Sequence, residues 1–122
     1  MGDVSRQFVV GANLPTRPFR RSINEPLGRL AVSDDGLEVW APRPLGIGFP
    51  RTRWSLAEIG RLAPIRGRFG KGGFQLEDSS GDCIYFWCSR EATREVLGIC
   101  SRLGLRVEDT DTHIGWWREL LG

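Results

Sequence analysis

Residues 74–104 read FQLEDSSGDCIYFWCSREATREVLGICSRLG, and this stretch combines a strand hairpin with a helix. Residues 74–78 and 82–88 predict two antiparallel strands joined by a turn that contains Gly81. The run from Cys83 to Cys88 is apolar at nearly every position. Such a run is typical of a central strand, or of a strand that is covered on both faces.

The helix is predicted to begin after Ser89 and to end before Gly104. The hydroxyl of Ser89 can accept a backbone N–H of the first turn, and a glycine suits the left-handed position that follows a helix. Glu91 lies early and Arg102 late, as the helix dipole favours. One apolar stripe follows the helical period and predicts the face that packs on the sheet: Ala92, Val96, Ile99 and Leu103.

The segments before this stretch predict more strands. Residues 28–41 form the clearest hairpin, because two alternating segments flank a turn that ends in Asp35 and Gly36. Residues 51–56 and 59–66 predict two further strands. Pro64 lies in the second of these, which indicates an edge strand or a bulge.

The remaining segments are predicted to be less regular. The N-terminal residues 1–27 contain one short apolar run, at 8–10, and then an irregular basic arm at 17–21. Residues 42–50 are rich in proline and glycine and predict a loop. Residues 67–73, GRFGKGG, lack the helix that follows a phosphate-binding loop, so a hairpin loop that can supply a basic contact is favoured.

These elements predict a mainly β, α+β domain: a bent antiparallel sheet or split β-barrel capped by one C-terminal α-helix. A length of 122 residues suits one domain, 1–122. Within it we expect an N-terminal strand and arm at 1–27, a core at 28–107 and a C-terminal tail at 108–122.

The segments 28–40, 54–59 and 73–107 resemble the bacterial pleckstrin-homology-like (PH/GRAM-like) domains. The resemblance implies a nearly closed sheet capped by the helix, and a binding or scaffold function. Members that bind phosphoinositides carry basic residues in the first hairpin. Here its turn holds Asp34 and Asp35, so the resemblance implies a binding or scaffold module more than a lipid sensor. The helix also departs from the family in lacking its usual tryptophan.

The charge is unevenly distributed. Residues 1–71 hold twelve basic and six acidic groups, whereas residues 72–122 hold five and nine. Of the seventeen basic residues sixteen are arginine, which suggests a GC-rich genome, such as that of an actinobacterium or its phage. The first half therefore predicts a basic face that attracts anionic partners. This anionic-ligand patch would comprise Arg43, Arg51, Arg53, Arg61, Arg66, Arg68 and Lys71.

The residues that support catalysis or metal binding are sparse. The single histidine, His113, has no nucleophile motif nearby, and the three cysteines lack the spacing of a zinc site. We therefore expect no enzyme, no metal and no cofactor. Reduced cysteines, and the lack of a signal peptide or an apolar run of membrane-spanning length, predict a cytoplasmic protein without a transmembrane segment.

The adjacent Trp116 and Trp117 cannot both point the same way in a regular element. One is expected to pack on the domain and the other to lie in a partner or oligomer interface. The sequence thus predicts a noncatalytic module for protein–protein contacts or self-association. The alternatives are binding of an anionic ligand, nucleic acid or an acidic membrane surface, through the basic patch, and a small enzyme of unknown class.

Overall fold

The elements follow one another in the predicted order. The computed structural model describes residues 5–16, 20–42, 49–67, 72–109 and 112–113. Its strands are β1 (Arg6–Leu14), β2 (Arg21–Ser33), β3 (Gly36–Trp40), β4 (Thr52–Ser55), β5 (Ile59–Arg66), β6 (Gly72–Asp78), β7 (Cys83–Trp87) and β8 (Thr112–His113). A 3₁₀ turn, Leu56–Glu58, joins β4 to β5, and the helix α1 is Arg90–Arg102.

The strands form one sheet in the order β4-β3-β2-β1-β7-β6-β5-β8. The seven long strands are antiparallel to their neighbours, and the sheet does not close, because β4 pairs with β3 and not with β5. One helix follows the antiparallel strands. The predicted fold class is therefore confirmed: this is a mainly β architecture consistent with a PH-like α+β fold.

Strand β2 is longer than the sequence indicated. It begins at Arg21 rather than at residue 28, so the last part of the expected irregular arm is a strand. The register explains why the alternation is lost there. Val10 pairs with Gly28 but Ala12 pairs with Ile23, so residues 24–27 bulge from the ladder opposite a single residue of β1. A proline within such a bulge removes no ladder hydrogen bond.

Helix α1 has the predicted ends. Ser89 Oγ accepts the amide of Ala92 at 3.0 Å. At the other end the amide of Gly104 donates to the carbonyl of Ser101, and that of Leu105 to the carbonyl of Cys100, both at 3.0 Å. This pair of bonds is a Schellman motif, and the φ of +88° at Gly104 is the left-handed conformation it requires.

The buried face of α1 is rotated from the predicted stripe. Its buried residues are Thr93, Val96 and Cys100, while the other predicted members of the stripe are only partly buried. The Thr93 hydroxyl lies 3.2 Å from the sulfur of Cys88, so a polar residue is satisfied within the contact.

Strand β7 is buried on both faces, as its apolar run predicted. Ile84 and Phe86 point into the main core. Tyr85 and Trp87 point to the opposite face, where they form a second cluster with Ile65. All five side chains are 3% exposed or less. Alternate side chains of β7 therefore contribute to two hydrophobic clusters, one on each face of the sheet.

The outer edge of β5 is paired with the chain that follows α1. The amide of Leu62 donates to the carbonyl of Arg106, and the amide of Glu108 donates to the carbonyl of Leu62, both at 2.8 Å. Further along, Ile65 and Arg66 pair in parallel with β8. Strand β5 is therefore not an edge strand, one of the two alternatives that Pro64 predicted, but its ladder with β6 contains a bulge, between Ile59 and Arg61.

Close backbone packing between β6 and β7 allows a first test. A Cβ placed on Gly73 would overlap the carbonyl oxygen of Phe86, whereas a Cβ on Gly72 would meet no atom closer than 4.0 Å. We expect Gly73→Ala to lower the free energy of unfolding by about 2–4 kcal/mol, because the backbone of β7 must move. Gly72→Ala is the matched control and should change it by less than about 1 kcal/mol. Equal midpoints in urea denaturation would contradict this account.

Candidate functional site

The described members of the predicted basic patch occupy different settings. Arg51 precedes β4 and Arg53 lies within it, while Arg61 and Arg66 lie near the two ends of β5. Arg43, Arg68 and Lys71 lie outside the described residues. The local partners of each arginine therefore decide what it can bind.

Arg61 is engaged by acidic side chains of its own domain. Its Nε lies 2.6 Å from Glu77 and its Nη1 lies 2.7 Å from Glu108. The hydrogen bond that Arg61 donates to Glu77 raises the pKa of Arg61. Glu108 also pairs with Arg106 at 3.1 Å. Arg61 therefore ties β5 to β6 and to the chain after α1, and it is poorly placed to receive an anionic ligand.

Arg51 and Arg53 form a basic margin along β4. Arg51 forms an ion pair with Glu38, and its guanidinium lies over the ring of Trp40, 4.7 Å from the centroid. Arg53 is exposed and lies opposite Glu38 in the ladder. Two arginines face one carboxylate, so this margin keeps an excess of positive charge.

An apolar cavity of about 200 Å³ lies beside the same strand. Thr52 and Trp54 of β4 form one side of it. The other side is formed by residues of strands that do not pair with β4: Leu14 of β1, Ile84 of β7 and Asp78, whose carboxylate accepts hydrogen bonds from Ser80 and Asp82. The cavity therefore marks the gap where β4 ends the sheet without pairing with a second strand among the described residues.

Arg20, which belongs to the predicted basic arm, has a structural role. It donates to the backbone carbonyl of Asn13 at 3.2 Å, to the side chain of Asn13 and to the carbonyl of Cys83. Its guanidinium also lies over the ring of Tyr85, 4.8 Å from the centroid. Burial lowers the pKa of Arg20. The sequence could not predict this role, because it does not distinguish Arg20 from the adjacent Arg21.

The hairpin loop predicted at residues 67–73 connects two antiparallel strands, because Arg66 pairs with Gly72. A phosphate-binding loop instead leads from a strand into a helix. The segment therefore joins two antiparallel strands, although β6 already begins at Gly72 and residues 68–71 lie outside the described residues. The predicted interface residues Trp116 and Trp117 lie outside the described residues.

None of the three cysteines, all in the described part of the chain, forms a disulfide. Cys88 and Cys100 are buried, while Cys83 is partly exposed. Burial raises the pKa of Cys88 to about 11 and that of Cys100 to about 12. Because the thiolate is the nucleophilic form, neither buried thiol is activated at neutral pH.

Comparison with known proteins leaves the family open. No protein-family model matches the chain, and no curated protein is significantly similar to it in sequence. Among the described residues, no helix has the length and apolar character needed to cross a membrane. Within the same part of the chain, no three acidic, cysteine or histidine side chains cluster to hold a metal ion.

The buried thiols predict how stability depends on pH. An unfolded cysteine has a pKa of about 8.5, so above that pH the unfolded chain loses protons that native Cys88 and Cys100 retain. The free energy of unfolding should therefore fall as the pH rises from about 8.5 toward 11, by up to about 1.4 kcal/mol per pH unit for each thiol. Urea denaturation at pH 8, 9 and 10 measures this slope.

The variant Cys100→Ala provides the control for that measurement. It lacks one of the two titrating groups, so its stability should fall less steeply with pH, whatever its stability at pH 8. A slope equal to that of the unaltered protein would mean that other groups cause the loss.

Proposed function

We propose that this domain is a noncatalytic, PH-like interaction module that binds an extended acidic segment of a partner protein along β4. The observation that carries the proposal is the position of the apolar cavity, which lies against β4, the strand that ends the sheet beside Arg51 and Arg53 in the described part of the chain. An extended segment would add to the sheet there as a further strand.

Backbone pairing would supply the affinity in this arrangement. The edge of a sheet presents unpaired N–H and C=O groups to an added strand, and pockets for alternate side chains supply specificity. Strand β4 pairs with β3 on one side only, among the described residues. Its length of four residues suits a short segment rather than a large interface.

The side chains around β4 define the chemistry of the segment. The cavity of about 200 Å³ has a mainly apolar lining, which suits one aliphatic or aromatic side chain. Arg53 is exposed, and Glu38, which lies opposite it in the ladder, forms an ion pair with Arg51, so carboxylates on the segment would find complementary charge at Arg53. Charge complementarity of this kind governs partner choice and association rate more than it governs affinity.

Selection from a phage-displayed library of random decapeptides tests the proposal. We expect selected peptides to share one large apolar residue flanked by aspartate or glutamate. Arg53→Glu should weaken their binding more than tenfold, and the loss should shrink as the salt concentration rises. Thr52→Phe should also abolish binding, because the larger side chain would fill the cavity. Fluorescence anisotropy with labelled peptides gives the dissociation constants.

Arg94→Glu is the matched control, because Arg94 is exposed on α1, away from β4. It should leave the dissociation constants unchanged, and circular dichroism should show all three variants folded. Selection of no peptide, selection of peptides without acidic residues, or equal losses in Arg53→Glu and Arg94→Glu would each refute the proposal.

A further inference from the structure

A second, smaller cavity lies beside Arg53, with a volume of about 140 Å³. Arg53 of β4, Glu38 of β3, and Ala31 and Ser33 of β2 form part of its lining. It shares no lining residue with the apolar cavity beside β4. The two cavities therefore offer separate positions for the side chains of a segment bound along that strand.

The two cavities lie on opposite faces of the sheet. Trp54 belongs to the main core and, with Thr52, lines the apolar cavity. Arg53 comes between them in the strand, so its side chain points to the other, outer face, because successive side chains of a strand alternate. The register extends this outer face across three strands, since Arg53 is opposite Glu38 and Glu38 is opposite Ala31. Strand β4 thus separates an apolar inner cavity from a charged outer cavity.

The outer cavity keeps one positive charge available. Glu38 forms an ion pair with Arg51, and no ion pair of Arg53 occurs in the described part of the chain. The Ser33 hydroxyl accepts the amide of Asp35 at 3.2 Å, so its own proton can be donated to a ligand. A single uncompensated guanidinium beside a hydroxyl donor suits a carboxylate, which has one negative charge.

Acidic residues near the outer cavity disfavour a ligand of higher charge. Glu38 is itself in the lining, and Asp34 and Asp35, both exposed, directly follow Ser33 in the chain. A dianionic phosphate group would meet these carboxylates with one available guanidinium to offset them, because Arg51 is already paired. The charges therefore favour an aspartate or glutamate over a phosphorylated residue.

We propose that the outer cavity is a second subsite for the segment bound along β4, and that it binds the carboxylate of the residue next to the apolar anchor, the side chain in the inner cavity. This inference rests on the proposed function. Adjacent residues of an added strand point to opposite faces of the sheet, so the neighbours of the anchor lie on the outer face. An acidic residue two positions from the anchor would instead point to the inner face, away from Arg53. The partner is thus recognised on both faces of β4, by an apolar residue and an acidic residue in one fixed phase.

Two peptides of identical composition test the phase. Both carry one central leucine and two glutamates in a background of serine and glycine, with the glutamates next to the leucine in the first peptide and two positions from it in the second. Net charge and apolar content are equal, so only the order of residues differs. The first peptide should bind the whole chain at least about tenfold more tightly, measured by fluorescence anisotropy, because it alone satisfies both cavities. A third peptide, with phosphoserine in place of the glutamates of the first, should bind no more tightly than the first.

The variant Ala31→Leu tests the outer cavity itself, because the larger side chain would occupy the space beside Arg53. It should lower the affinity for the first peptide to that for the second. Val9→Leu is the matched control, since Val9 is exposed on the same face, in β1, but does not line the cavity. It should leave both affinities unchanged, and circular dichroism should show both variants folded.

Equal affinities of the unaltered chain for the first two peptides would overturn the inference but not strand addition at β4, which Thr52→Phe tests separately. Tighter binding of the phosphoserine peptide, or equal effects of Ala31→Leu and Val9→Leu, would overturn the carboxylate subsite in the same way. Failure of every peptide to bind, even at low salt, would refute strand addition at β4 and this subsite together.

Discussion

Phe86 connects β7, in the interior of the sheet, to β4 at one end of it through side-chain contacts. Its ring stacks on Phe74 with centroids 4.9 Å apart, and it meets Trp54 edge-on at 6.0 Å. Each such aromatic pair contributes about 0.5–1.5 kcal/mol beyond the burial of its area. Because Trp54 comes from β4 and Phe86 from β7, this cluster holds the open sheet folded on itself. The apolar cavity beside β4 exists because side chains close this gap only in part.

The sequence predicted best the turns and helix ends, which depend on interactions between residues close in the chain. Turn chemistry located the hairpin at Asp34–Gly36, and the cap at Ser89 with the glycine at 104 located the helix. Strand β5 has the bounds that the sequence predicted. These elements depend on neighbours in the chain, which the sequence displays directly.

The errors arose where distant residues decide the outcome. Strand β2 extends back to Arg21 because residues 24–27 form a bulge opposite β1, beyond which the pairing resumes. A bulge interrupts the alternation of apolar and polar residues, so the sequence pattern did not predict this part of the strand. The buried face of α1 passes through Thr93 rather than Ala92, because Cys88 on the sheet accommodates the hydroxyl. Hydrophobicity alone would rank alanine above threonine at that position.

The arginines show the same limit for the candidate sites. In the sequence Arg53, Arg61 and Arg66 are equivalent basic residues of the first half. In the structure Arg61 is held by two glutamates, Arg66 has interactions of its own at the end of β5, and Arg53 is exposed on β4, an edge strand among the described residues. Charge composition predicted that a basic surface exists, but tertiary contacts determine which of its members remain available.

The pairing of β5 with the chain after α1 also affects how copies of this domain can associate. A sheet with two open edges can add copies at both ends and grow without limit, as fibrils do. Here the hydrogen bonds of Leu62 with Arg106 and Glu108, and the short strand β8, occupy one of those edges. Strand addition at β4 would then stop after one partner, so edge pairing at this end favours a closed pair over a polymer.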